Sequence, residues 1–251
     1  MRNIFLVIIT SLVFCSCSSS KVRNYRLEVV AEYPHDTTSY TQGLFFKDGQ
    51  LYESTGLNGK STFRVVDLKT GKALRKLDFD KKYFVEGSVI FDDNLYILTW
   101  ENKVVFIYDA ETLEYKSTHR YARQGWGLTT DGESLIASDG SANLYFMDAN
   151  LKLKERVFVT LNDRPVNWLN ELEYINGRVW ANVYTRDEIV IINPRSGKVE
   201  GVVDCSGLLP RKLHSDSTDV LNGIAYNPKD GKIYLTGKNW PKMYEIRIVE
   251  N

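Results

Sequence analysis

Short runs in which apolar and polar residues alternate recur along most of the chain, separated by pairs of Asp, Asn and Gly. A period of two predicts strands, and no apolar pattern of helical period extends far enough to predict a helix. Asp48-Gly49, Asp93-Asn94, Asp131-Gly132, Asn176-Gly177 and Asp230-Gly231 each stand between two such runs. Asn and Gly tolerate the positive φ of tight turns, so each pair predicts a hairpin. A similar strand follows every one of them: Gln50-Leu51-Tyr52, Asn94-Leu95-Tyr96, Ser134-Leu135-Ile136, Arg178-Val179-Trp180 and Lys232-Ile233-Tyr234. A third strand, such as Val104-Val105-Phe106-Ile107-Tyr108, leads to a second turn, such as Asn193-Pro194-Arg195-Ser196-Gly197-Lys198. A fourth strand then closes the unit.

The units align on the residues that open each first strand: Gln42-Gly43, Glu86-Gly87, Trp126-Gly127, Asn170-Glu171 and Asn222-Gly223, at spacings of 44, 40, 44 and 52. Four strands in each ~40–45 residues predict the blade of a β-propeller. The fifth unit runs out of chain after three strands. Tyr25-Arg26-Leu27-Glu28-Val29-Val30 supplies a fourth from the other end. The expected fold is therefore all-β, a five-bladed β-propeller over residues 25–251, its last blade closed by the N-terminal strand. Closure removes the exposed sheet edges.

The first residues read differently. Met1-Arg2-Asn3 is a short basic start, and residues 4–14 are apolar apart from Thr10 and Ser11. That run is too short to span a bilayer, which takes ~20 residues, and it suits a secretory signal. Phe14-Cys15-Ser16-Cys17 follows, and a small residue before a cysteine there resembles a bacterial lipobox. Ser16 makes Cys17 the better acceptor. The expected organisation is a signal peptide over 1–16, a lipidated Cys17 and a tether over 17–24. Such a chain is a periplasmic or outer-membrane lipoprotein of the cell envelope and touches membrane only through its anchor. Ordinary signal cleavage without lipid is the alternative. Cys205 is then the one cysteine left in the fold, so no disulfide forms within the chain.

Composition adds two constraints. The 251 residues carry 32 Lys+Arg against 32 Asp+Glu, for no net charge. Without a basic surplus, nucleic acid is not an expected partner. Aromatics reach 12%, with 15 Tyr, 11 Phe and 5 Trp. Strand propensity explains part of that.

The rest has a candidate place. First strands of propeller blades line the central channel, so Gln42, Glu86, Trp126, Asn170 and Asn222 should converge at one face. The ends of the second strands, Thr55, Trp100, Asp139, Tyr184 and Lys238, should form a neighbouring ring. Tyr40 and Phe84 lie two residues before Gln42 and Glu86, on the same strand face. Together they describe a pocket with one acid, one cation, several amides and aromatic walls, the usual make-up of a ligand site. A carboxylate is seldom buried without a reason, although a core ion pair between Glu86 and Lys238 among packed rings is the plainer reading. His35, His119 and His214 fall in unrelated segments and read as surface residues. No Cys/His spacing suggests zinc, and no phosphate loop is present. Residues 205–218 read as a long connection.

The motifs Tyr40-Thr41-Gln42-Gly43-Leu44, Phe84-Val85-Glu86-Gly87, Gly125-Trp126-Gly127-Leu128-Thr129, Ser138-Asp139-Gly140-Ser141, the stretch from Asn170 to Val183 and that from Leu221 to Pro241 resemble the plant-type glutaminyl-peptide cyclotransferases. The resemblance runs from about Tyr25 to the C-terminus. It implies a five-bladed propeller and conversion of an N-terminal glutamine to pyroglutamate with release of ammonia. It implies Glu86 as the essential acid, with Gln42, Asn170 and Lys238 as its polar and cationic partners. Tyr40, Phe84, Trp100, Trp126 and Tyr184 become the walls, and the two rings add Asp139 and Asn222 as expected substrate contacts. Plant members typically carry Phe at the place of Tyr40 and Trp at that of Tyr184, which bears on substrate preference. The resemblance implies no metal and no cofactor. The expected substrate is a peptide or protein with N-terminal Gln, and the expected state is a monomer. Two other readings fit the residues: a non-catalytic envelope propeller that binds peptide or glycan, and a metal-dependent propeller hydrolase using Glu86, Asp139, Asn170 and Asn222.

Overall fold

The computed structural model describes residues 21–251. The leader and Cys17 lie outside them. The chain is all-β apart from one short 3-10 turn, Arg211–Leu213, in the long connection. Its first strand, β1 (Arg23–Pro34), precedes a repeating series of antiparallel strands. The first unit comprises β2 (Thr41–Lys47), β3 (Gln50–Thr55), β4 (Thr62–Asp67) and β5 (Lys72–Asp78). The second comprises β6 (Val85–Phe91), β7 (Asn94–Thr99), β8 (Val104–Asp109) and β9 (Tyr115–Arg120). The third is made of β10 (Leu128–Thr130), β11 (Leu135–Ala137), β12 (Asn143–Met147) and β13 (Leu153–Phe158). A small hairpin that the sequence pattern does not predict, β14 (Thr160–Leu161) and β15 (Arg164–Pro165), interrupts the series. The fourth unit is β16 (Leu169–Ile175), β17 (Arg178–Val183), β18 (Glu188–Ile192) and β19 (Val199–Asp204). The last strands are β20 (Leu221–Asn227), β21 (Lys232–Gly237) and β22 (Lys242–Glu250).

The first three units are separate four-stranded sheets and β14–β15 a two-stranded one, while the remaining strands join in one eight-stranded sheet ordered β16-β17-β18-β19-β1-β22-β21-β20. β1 produces that join. It pairs antiparallel with β22, from Tyr25 opposite Glu250 to Pro34 opposite Lys242. It also pairs parallel with β19 over Arg23 to Arg26, a second role that the alternation of side chains did not announce. The first strands neighbour one another around a ring, β2 beside β6, β6 beside β10, β10 beside β16, β16 beside β20, and β20 beside β2.

The core is distributed between sheets. One apolar cluster joins Phe45 and Phe63 to Leu95, Ile97 and Phe106, across the first and second units. Others join Leu98 to Leu135 and Met147, Leu144 to Leu172 and Val179, Ile189 to Leu235 and Tyr244, and Tyr234 to Leu44 and Leu51. Each sheet therefore buries both faces against its neighbours, and each fully buried Leu or Phe contributes about 1.5–3 kcal/mol. Outer strands β5 and β9 are mostly exposed and carry Lys and Arg, which discourage edge-to-edge pairing.

Two expectations change. The second hairpin turns at Asp92-Asp93, both at positive φ, with Phe91 opposite Asn94, one residue earlier than Asp93-Asn94. His35 is buried, and its Nδ1 donates to the Trp240 carbonyl (2.7 Å) while Nε2 meets Glu53 (2.9 Å). A lone His gives no periodic signal by which burial can be foreseen. Among the described residues no helix is long and apolar enough to cross a membrane.

Candidate active site

Every full-length first strand carries an irregularity where the sequence units align. The register shifts between Thr41 and Gly43, between Val85 and Ser88, between Leu169 and Leu172, and between Leu221 and Ile224. A bulge re-aims the side chain it carries. Here the bulged positions include Gln42, Glu86, Asn170 and Asn222. Glycine follows Gln42, Glu86 and Asn222, though not Asn170, and lets the first strands approach closely: a Cβ on Gly87 would stand 2.5 Å from the Leu128 amide nitrogen and 2.6 Å from the Trp126 carbonyl oxygen.

Gln42, Glu86 and Asn170 line a cavity of about 260 Å³ at one end of the ring of first strands. Tyr40, Phe84, Trp100, Trp126, Tyr184 and Lys238 line it too, together with Trp168. The aromatic rings touch in sequence. Tyr40 meets Phe84 edge-on (6.2 Å, 88°) and Phe84 meets Trp100 (5.6 Å, 64°). Gln124 Oε1 accepts from both indoles, Trp100 Nε1 at 3.0 Å and Trp126 Nε1 at 3.3 Å. Trp126 then meets Tyr184 edge-on (5.7 Å, 86°). Lys238 Nζ closes the circuit, 4.6 Å from the centre of the Tyr40 ring and 5.1 Å from that of Tyr184, distances at which a ring face attracts a cation. Tyr40 is fixed by its hydroxyl, which donates to Asp219 Oδ2 at 2.8 Å.

Inside this wall Glu86 is 5% exposed, and no described residue hydrogen-bonds its carboxyl. Burial raises its pKa well above the ordinary carboxylate value, and the nearby positive charge of Lys238 opposes that only in part. Lys238 is 3% exposed. Burial lowers its pKa, against the pull of Glu86 and then Asp219. The two groups thus form no ion pair in contact. Each is held toward its neutral form by the same dry surroundings.

Two amides complete the floor. Asn222 Nδ2 donates to the Thr41 carbonyl (2.9 Å) and to Gln42 Oε1 (3.3 Å). With its acceptor end engaged, Gln42 presents its NH₂ end to the cavity. Asn170 is buried with Oδ1 unpartnered among the described residues, so its amide too is uncommitted. Asn222 therefore lies behind Gln42 and positions it, without lining the cavity. Asp139 does not line it either: its carboxylate accepts from Ser141 Oγ (2.5 Å) and Tyr145 OH (2.9 Å) and fixes a turn of the third unit. Thr55 is likewise engaged, with Thr62. Sequence reasoning missed Trp168, Gln124 and Asp219. Trp168 stands two residues before Asn170, the offset that had identified Tyr40 and Phe84. Gln124 and Asp219 give no such signal, because they lie in loops. Among the described residues no group of three or more His, Cys, Asp or Glu is arranged to hold a metal ion.

The glutamine cyclotransferase family model matches residues 4–248. A glutaminyl-peptide cyclotransferase of Arabidopsis thaliana is 43% identical over 227 residues, which are 88% of this chain and 71% of that protein. The crystal structure of a Myxococcus xanthus glutaminyl cyclase superposes with a TM-score of 0.85 at 33% identity, covering 92% of this chain and all of that one. The WD40 β-propeller domain of Doa1, at 12% identity and a TM-score of 0.50 over 81% of this chain and 62% of that one, shares the fold alone. Bulged first strands, an aromatic circuit around a buried acid and a match over nearly the whole sequence lead to one conclusion: the chain belongs to the glutamine cyclotransferase family.

Proposed function

We propose that the protein is a glutaminyl-peptide cyclotransferase, converting the N-terminal glutamine of a peptide or protein to pyroglutamate. The observation that carries this reading is the isolated Glu86 carboxyl inside an aromatic wall, with Gln42, Asn170 and Lys238 offering donors around it. The frame is best read as a five-bladed propeller over residues 25–251, with β1 as the outer strand of the last blade. The ring of first strands and the five apolar clusters between neighbouring sheets support it.

In the reaction the free α-amine attacks the γ-carboxamide carbon of its own residue. A five-membered ring forms, so proximity is largely built into the substrate, which must only be held folded. Glu86, as carboxylate, takes a proton from the attacking nitrogen and passes one to the departing amide nitrogen, which leaves as ammonia when its bond to carbon breaks. Lys238, Gln42 and Asn170 donate to the oxyanion that develops; one donor of this kind is worth ~3 kcal/mol. The aromatic wall packs the methylenes of the glutamine and keeps water from competing. A single chain carries the whole cavity, so a monomer suffices.

Glu86→Gln should lower ammonia release from a Gln-initiated dipeptide about 10²–10⁴-fold with an unchanged circular dichroism spectrum. A variant that keeps near-parental rates would remove Glu86 from this role. Saturable peptide binding with no turnover by the parent would instead favour the non-catalytic binding reading.

The leader supports a further part of the proposal: cleavage after residue 16, lipid on Cys17 and a tether that leaves the propeller at the envelope. Mass spectrometry of the protein from membranes should find a diacylglyceryl group on the mature N-terminal cysteine, absent from Cys17→Ser. A mature chain starting elsewhere and free of lipid would refute it.

A further inference from the structure

A second cavity, about 670 Å³, adjoins the first, and Trp168 lines both. One side comes from the β14–β15 hairpin and the segment after it, including Arg164 and Val166. The other comes from β17, β18 and the turn between them, including Val183 and Arg186. Trp168 departs from the other wall residues in two ways. It is 55% exposed, and its φ of 67° lies in the left-handed region that a bulky side chain enters only under constraint. The constraint is visible. The Trp168 N–H donates to the Gly140 carbonyl and the Tyr184 N–H donates to the Trp168 carbonyl, both at 2.8 Å. The indole leans on Trp126 (6.1 Å) and Tyr184 (6.4 Å), leaving much of its surface to solvent at the rim.

A peptide whose first residue fills the smaller cavity must leave it over some part of the rim. Much of that rim is fastened: Tyr40 to Asp219, Trp100 and Trp126 to Gln124, Lys238 against Tyr40 and Tyr184. The open continuation is past Trp168. Charge narrows the choice of occupant. Arg186 pairs with Glu188 at 2.9 Å, whereas Arg164 pairs with no acid among the described residues.

We infer that the cavity beyond Trp168 is a subsite for the second and third residues of the substrate, packing the second against the indole and favouring an acidic third residue beside Arg164. This rests on the cyclotransferase reading and extends it to substrate choice. An exposed aromatic with a pre-set backbone offers packing area at little further entropic cost, and an unpaired guanidinium prefers a carboxylate partner.

The test compares kcat/KM for glutaminamide, Gln-Phe-Ala-amide and Gln-Phe-Glu-amide in the parent, Trp168→Ala and Arg164→Glu. The parent should prefer the tripeptides to glutaminamide by about tenfold. Trp168→Ala should bring that ratio toward one, and Arg164→Glu should reverse the preference for Glu over Ala at the third position. Equal rates on all three substrates in the parent, or an equal loss on all three in Trp168→Ala, would overturn the subsite while leaving the activity standing. Absence of ammonia from all three substrates would instead overturn the activity, and the subsite with it.

Discussion

Glu86 and Lys238 each feel two opposing forces, and which force wins decides the pH profile. Burial raises the carboxyl and Lys238 restrains the rise; burial lowers the ammonium and Glu86 restrains the fall. A base must be ionised to accept a proton, so kcat should climb as pH passes the raised value of Glu86 and decline as Lys238 loses its proton. Lys238→Met removes the cation that favours the carboxylate. The acid limb of kcat should then move to higher pH, by about 1 pH unit or more, and the alkaline limb assigned to Lys238 should vanish. An unmoved acid limb would mean that Glu86 is not the group titrating. Both residues were legible in the sequence, because the repeat aligned a carboxylate with aromatics and a lysine with the ends of second strands. Asp139 stood in the same ring and is occupied elsewhere, since a short side chain beside Ser141 finds hydrogen bonds before it reaches the cavity.

At the level of elements, the first strands do the positioning. Alternation alone would send Glu86 and its neighbours in fixed directions along a regular strand; the bulges break that rule and supply the extra residue. Gly87 is the condition for the one in β6, because no side chain fits between it and the backbone around Gly127. Gly87→Ala should cost about 1–3 kcal/mol, read as a lower Tm. It should also reduce kcat more than it raises KM, because Glu86 is displaced relative to the oxyanion donors. An alanine variant with parental Tm and kcat would show that the strands can separate freely. Strand existence followed from period-two patterning and turn residues, and so did most hairpins. The β14–β15 hairpin did not, being too short to show a period, and Trp168 came into the site with it.

Over the whole molecule, the junction between the chain ends holds the ring. β1 lies between β22 and β19, and just beyond it His35 bonds to Trp240 and Glu53. Ser39 and Thr41 also donate to Glu53, and Asn239 donates to Thr37 and Ser39, so first and last units are sewn together. Burial opposes charge on His35, yet the Glu53 carboxylate and both hydrogen bonds outweigh it and its pKa is raised. Burial likewise opposes charge on Glu53, but His35 and Arg64 outweigh it and its pKa is lowered. The contribution of His35 is then complete below its unfolded pKa of about 6.5 and fades as pH rises through the raised folded value. That of Glu53 is complete above the ordinary carboxyl value of 4.5 and fades as pH falls through the lowered one. His35→Ala should cost about 3–5 kcal/mol near pH 6 by taking from the buried Glu53 carboxylate its hydrogen-bonded cation. The difference from the parent should shrink at alkaline pH. Urea unfolding at pH 6 and pH 9 measures both, and a cost independent of pH would contradict a charged pair.

What the sequence by itself determined is what repeats or is local. Alternating polarity, turn residues and a spacing of about 44 residues specified strands, hairpins and their grouping, and placed Gln42, Glu86 and Asn170 at equivalent points of their units and Lys238 at the end of a second strand. These follow from short-range geometry, in which a residue's neighbours decide its direction. The tertiary structure decided what depends on residues far apart in the chain. It bulged the first strands and turned Asn222 behind Gln42. It brought Trp168, Gln124 and Asp219 to the wall, and buried His35 at the junction of the ends. Each of those outcomes is a hydrogen bond or a close approach between different units, and it exists only once the ring has closed.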